Sequence, residues 1–304
     1  MIPSIREHLW RFPSPLAAPL KAMILGRERR RIARAGRLVA VYQMGKVGST
    51  TVYRSLRHSV PDLPRFHVHF LEKPRIDRLE QGMREKGLPV AWHLEEGRFL
   101  ADLLREGDPA IKWLVIAPTR EPGARNLSAY FENIEHFFPD FAARRARGTL
   151  SVDELIDTFL ARYHQDTPLT WFDRELKTHF GIDAYETPFP HEKGWQIVRT
   201  ERVDVLVVRL EDFKIRLQPA LADFLGTGDI VTPPANVSED KEYADLYGEV
   251  RRKIVFPPEL LDHLYESRYA RHFYTDEERS RFRARWSGEG EISQGKTAGS
   301  NVCN

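Results

Sequence analysis

The chain has 304 residues, 41% of them hydrophobic and 30% charged, the composition of a globular protein with room for one large domain or two small ones. Forty-six Lys and Arg stand against 44 Asp and Glu, and the resulting net charge of +2 argues against a dedicated nucleic-acid partner, leaving any basic site local. The one cysteine, Cys303, excludes an internal disulfide framework and fits a reducing, cytoplasmic compartment.

No run approaches the roughly 20 apolar residues of a membrane span, and the N-terminus lacks the charged, apolar, small-residue order of a secretory signal. Residues 1–36 read as a basic arm, in which LWRFPSPLAAPLKAMIL is followed by Arg27, Arg29, Arg30, Arg31 and Arg34, with Arg37 just beyond. Two readings are open: peripheral contact with an anionic membrane, at its inner face, or a solvated, partly helical lead-in to the first strand. Pro13, Pro15 and Pro19 are expected to interrupt any long amphipathic helix there.

A single α/β domain is expected over 37–286. LVAVY (38–42) is its first strand, and Val52, Leu56 and Val60 then recur at helical spacing. FHVHFL (66–71) alternates apolar residues with His67 and His69, as a strand with two distinct faces does. PRIDRLEQGMREKG (74–87) reads as a polar helix, and LPVAWHL (88–94) as a third short strand. IKWLVIAPT (111–119) is apolar throughout, like a strand buried on both faces, and Pro122 opens a helix with Leu127, Phe131, Ile134 and Phe138 on one side.

Residues 141–194 read as mostly helical. Their aromatics Trp171, Phe172, Tyr185 and Phe189, with Trp195, serve either as core or as stacking surfaces for sugar rings. VDVLVVRL (203–210) is another buried strand, feeding a helix with Leu217, Leu221 and Leu225 that stops at Gly226. Arg209, Glu211 and Asp212 form a structural ion-pair network or line a ligand cleft, the first being the commoner role. A linker near 232–240 leads to a helical portion from Pro257 to Trp286, and the tail 287–304 is expected to be disordered. Strand–helix alternation predicts a central parallel sheet flanked by helices.

Two sites stand out. Gly45-Lys46-Val47-Gly48-Ser49-Thr50-Thr51 follows the first strand and opens a helix, where backbone N–H groups, a lysine and three hydroxyls favour an anion. Arg120 lies at the tip of the 111–119 strand, with Ser128 two turns into the next helix, an arrangement that grips a phosphate from two sides. Two anion sites suit a ligand with two separated phosphates.

GKVGST (45–50) resembles the 5′-phosphosulfate loop of sulfotransferases that use 3′-phosphoadenosine 5′-phosphosulfate. TREPGARNLSAYF resembles their 3′-phosphate motif, and VLVVRLEDFK their late strand and helix. Within that superfamily the chain most resembles bacterial proteins described as capsular polysaccharide synthesis proteins. The family's asparagine, lysine and tyrosine are approximated by Asn236, Lys241 and Tyr243, with Glu242 where the family has tryptophan.

The resemblance implies a P-loop-like three-layer fold and sulfuryl transfer from that donor to a carbohydrate hydroxyl, in capsular or other extracellular polysaccharide or in glycolipid. It needs no metal. Lys46 would stabilise the leaving phosphate, Arg120 and Ser128 would hold the 3′-phosphate, and Lys241 would cover the nucleotide. His93 is implied as the base, with Glu95 or Glu96 as alternatives or as groups orienting the histidine; His67 and His69 are weaker candidates. A P-loop kinase or NTPase is the first rival, although Lys46 precedes Gly48 where that chemistry wants the reverse order. A non-catalytic nucleotide-binding assembly factor is the second. Acceptor and oligomeric state are not legible.

Overall fold

Apolar and alternating runs become a five-stranded, mostly parallel sheet in the computed structural model, which describes residues 14–88, 90–233 and 243–288. In chain order the elements begin with α1 (Ser14–Ala35), β1 (Arg37–Tyr42), α2 (Ser49–Ser59), β2 (Arg65–Val68), α3 (Lys73–Glu85), α4 (Trp92–Glu106) and β3 (Lys112–Thr119). A helical stretch follows: α5 (Pro122–Glu132), α6 (Ile134–Phe137), α7 (Phe141–Ala146), α8 (Val152–Arg162), α9 (Thr167–Trp171), a π-helical turn (Phe172–Lys177) and α10 (Thr178–Phe180). The chain then forms β4 (Trp195–Arg199), β5 (Val203–Arg209), α11 (Phe213–Leu225), α12 (Ala244–Lys253), α13 (Pro258–Tyr265), α14 (Arg268–Phe273) and α15 (Asp276–Trp286).

The chain packs into two units. The first comprises residues 1–119, 172–186 and 192–235, and contains the sheet in the order β2-β1-β3-β5-β4. β1, β2, β3 and β5 run parallel, so Tyr42, Val68, Thr119 and Arg209 all lie at one carboxyl edge. Val39, Val41, Leu114, Ile116, Leu206 and Val208 project to one face and pack against Val52 and Leu56 of α2 and Leu217, Leu221 and Phe224 of α11. Each such aliphatic burial is worth about 1.5–3 kcal/mol. On the other face Phe180 lies edge-on to Tyr42 and Trp113, at 5.9 and 5.5 Å. There the buried Glu175 accepts hydrogen bonds from the Tyr42 hydroxyl and, at 3.1 Å, from the Leu71 N–H.

The second unit comprises 120–171, 187–191 and 236–304 and is helical where described. Tyr130 and Phe131 of α5, Phe159 of α8, Phe256 and Trp286 form its core, with the Phe256 and Trp286 rings stacked at 4.7 Å. Ser151, Ser267 and Thr275 cap α8, α14 and α15, and Thr275 with Glu278 completes a capping box.

Three expectations need correction. Among the described residues of 88–94 there is no strand: Ala91 is extended and Trp92 begins α4, whose Leu94, Leu100 and Leu103 bury one helical face. The sheet is not wholly parallel, because β4 pairs antiparallel with β5, from Trp195↔Val208 to Arg199↔Asp204. Only residues 200–202 join them, too few for a crossover. Pro15 and Pro19 do not break α1, which runs through Pro19, and Pro13 lies outside the described residues. Pro15 falls in the first turn, where an N–H has no helical partner, and docking through the fully buried Ile32 and a Lys21–Glu95 ion pair holds the rest. Lys241, Asn236 and the tail from 289 onward lie outside the described residues.

Candidate functional site

The loop between β1 and α2 is built on left-handed backbone. Gly45, Lys46 and Gly48 have φ of 85°, 64° and 75°, and Lys46 is the only non-glycine at positive φ among the described residues. An L-residue there costs roughly 1–2 kcal/mol, and such strain persists only where the surroundings impose it. Gly48 is required twice over, since a Cβ there would also lie 2.6 Å from Leu210 Cδ1 and 2.8 Å from Phe213 Cε2. Between them Val47 is fully buried and pins the loop to the core, while Lys46 keeps partial exposure.

A glutamine that the sequence reading passed over organises the space beside this loop. Gln43, fully buried, accepts the Gly45 N–H on its side-chain oxygen. Its Nε2 therefore faces His67 Nε2 at 3.2 Å and His69 Nδ1 at 2.9 Å. His69 Nδ1 also lies 3.2 Å from the Gln43 backbone carbonyl oxygen, so the tautomer of each ring sets which of these contacts it accepts and which it donates. His67 Nε2 also lies 2.9 Å from Ser49 Oγ, so the hydroxyl of the first α2 residue is committed to the histidine. Thr50 is exposed and Thr51 half-buried.

His93 meets this group edge-on, its ring 4.9 Å from that of His69. Burial lowers the pKa of His93, and burial together with the charge of His93 lowers His67 to about 4. Both rings are neutral at pH 7. Among the described residues no three His, Cys, Asp or Glu side chains are arranged to hold a metal ion. α4 approaches β2 closely because Gly97 has no side chain: a Cβ there would lie 2.6 Å from the Phe70 carbonyl oxygen.

The two glutamates have separate tasks. Glu95 is paired with the buried Lys21 of α1, and burial still raises its pKa. Glu96 accepts from Trp92 Nε1 at 2.7 Å and from the His67 N–H at 3.0 Å, tying the start of α4 to β2. At the end of β5, Arg209 pairs with Asp212, and Gly194 (φ 78°) leaves room for that carboxylate.

Arg120 and Ser128 belong to the second unit. The Arg120 backbone is clamped by the Tyr269 hydroxyl, which donates to its carbonyl at 2.7 Å, and Ser128 is 7% exposed on α5. Between them the fully buried Glu121 caps α5, accepting from the N–H groups of Gly123 and Ala124 at 2.9 and 2.7 Å. The Tyr265 hydroxyl and Trp286 Nε1, the latter at 3.0 Å, donate to the same carboxylate. The aromatics offered as sugar platforms are core instead: Trp171, Phe172, Phe189 and Trp195 are 7% exposed or less, leaving only Tyr185 half-buried.

A family model described as "Putative capsular polysaccharide synthesis protein" matches residues 152–275. Over that stretch the chain is similar to a family associated by name with capsule and polysaccharide biosynthesis. The match includes the π-helical turn, β4, β5 and α11–α14; the 45–51 loop, the histidines, Arg120 and Ser128 precede it. No curated protein and no solved structure matches the chain.

Proposed function

We propose that the chain is a sulfotransferase, moving a sulfuryl group from 3′-phosphoadenosine 5′-phosphosulfate to a hydroxyl of a carbohydrate acceptor. The observation that carries this reading is the 45–51 loop: left-handed residues around a lysine, at the carboxyl edge of a parallel sheet and at the start of a helix. The free N–H groups at the start of a helix favour an anion there. The similarity to capsular polysaccharide synthesis proteins supports a carbohydrate acceptor.

In this reaction the acceptor oxygen attacks sulfur and the bond from sulfur to the bridging phosphate oxygen breaks. The electron pair stays with the departing phosphate, and the acceptor proton passes to a base. Lys46 and the loop N–H groups offset the charge growing on the phosphate. His93 suits the base role better than the glutamates, because it is neutral and half-buried whereas Glu95 is held by Lys21. The 3′-phosphate is assigned to Arg120 and Ser128 on the sequence motif.

Calorimetric titration with 3′-phosphoadenosine 5′-phosphate, ADP, ATP and 5′-AMP tests the donor. The expected result is at least tenfold preference for the 3′-phosphorylated nucleotide, lost in Arg120→Ala, and weak binding of every nucleotide by Lys46→Ala. Equal binding of all four, or none, would overturn the reading; magnesium-dependent preference for ATP would point to a kinase.

A further inference from the structure

α1 has two unlike sides. Lys21, Glu28 and Ile32 face inward: Ile32 is fully buried, Lys21 pairs with Glu95, and Glu28 pairs with Arg31 at 3.0 Å. Arg29, on a flank, reaches Glu106 at 2.6 Å. The opposite side carries Leu20, Met23, Arg27, Arg30 and Arg34, all exposed. At 3.6 residues per turn these five fall within a stripe about 80° wide. Leu20 and Met23 are 37% and 47% exposed, and the three arginines make no hydrogen bond or ion pair among the described residues.

The charge is concentrated there. Residues 14–37 hold seven basic side chains and one acidic, while the whole chain is only +2, so everything outside this segment is net acidic. An electric field with that asymmetry turns α1 toward a negative surface. Among the described residues no helix is long and apolar enough to cross a membrane.

We propose that this stripe of α1 seats the protein on an anionic lipid bilayer, lying in the plane of the headgroups. A polyanion in solution needs only the arginines. The two apolar side chains at the N-terminal end of the same stripe, in line with the charges, suit an interface that is charged outside and hydrocarbon beneath. The inference does not depend on the sulfotransferase reading.

Co-sedimentation of the full chain with vesicles of 70% phosphatidylcholine and 30% phosphatidylserine, against pure phosphatidylcholine, tests it at low and high salt. Binding is expected only with phosphatidylserine and is weakened by salt. Arg27→Gln/Arg30→Gln/Arg34→Gln should weaken it on the order of 100-fold, at about fivefold per charge. Met23→Ser should weaken it several-fold, and Arg251→Gln/Arg252→Gln, exposed elsewhere, should leave it unchanged. These side chains are at the surface, so unfolding is not expected, and circular dichroism checks each variant. No binding to phosphatidylserine vesicles would overturn the proposal. So would equal losses from the triple and the control variants, or a salt-sensitive affinity for soluble dextran sulfate matched by no effect of Met23→Ser.

Discussion

Ser49 Oγ and His67 Nε2 lie 2.9 Å apart, so the first residue of α2 is tethered to the strand beside it by a titratable ring. With its pKa at about 4, against 6.5 in an unfolded chain, His67 binds fewer protons folded than unfolded between those values. Its contribution to stability is whole above pH 6.5 and is lost as the pH falls toward 4, by at most about 3 kcal/mol. Chemical unfolding across that window should show a steeper decline for wild type than for His67→Gln. Parallel curves would mean that His67 titrates normally.

Gln43→Glu keeps an acceptor for the Gly45 N–H and places a carboxylate against His67 and His69. Both histidines should then titrate at higher pH, which NMR of the ring protons reads directly. Gln43→Leu should leave the Gly45 N–H without this acceptor and cost about 1–3 kcal/mol.

Gly48→Ala combines a left-handed φ with a clash against Leu210 and Phe213. A loss of about 2 kcal/mol or more is expected. On the proposed function, the loop should also bind inorganic pyrophosphate more weakly than wild type. A stable variant with unchanged binding would show that the loop readjusts.

Glu121→Ala strips two helix N–H groups, a tyrosine hydroxyl and an indole of their shared acceptor. The expected cost is about 3 kcal/mol or more in thermal or urea unfolding. Glu121→Gln should fall between, since its NH2 group must face one of those donors.

β1, β3 and β5 were legible because strands buried on both faces read as unbroken apolar runs, and the 45–51 turn was legible because only glycine-rich chain bends that way. The histidine group was not. In the sequence His67 and His69 alternate with apolar residues, as solvent-facing residues do, and only the pairing of β2 with β1, which ends one residue before His69, brings them against Gln43. A buried glutamine one residue past an apolar strand and ahead of a glycine turn was the available signal. Residues 88–94 misled because a five-residue apolar stretch carries no usable period; the Trp92–Glu96 contact, four residues apart, was the helical clue. Lys241 falls outside the described residues.

The two units exchange chain at 119/120, 171/172, 186/187, 191/192 and 235/236. No contiguous stretch of the gene therefore encodes either one. A fragment cut to the matched 152–275 region would carry α11 without the β1 and β3 strands of its sheet, and α13 without the α5 and α15 residues of its core. A cut anywhere between residues 120 and 235 therefore divides both units.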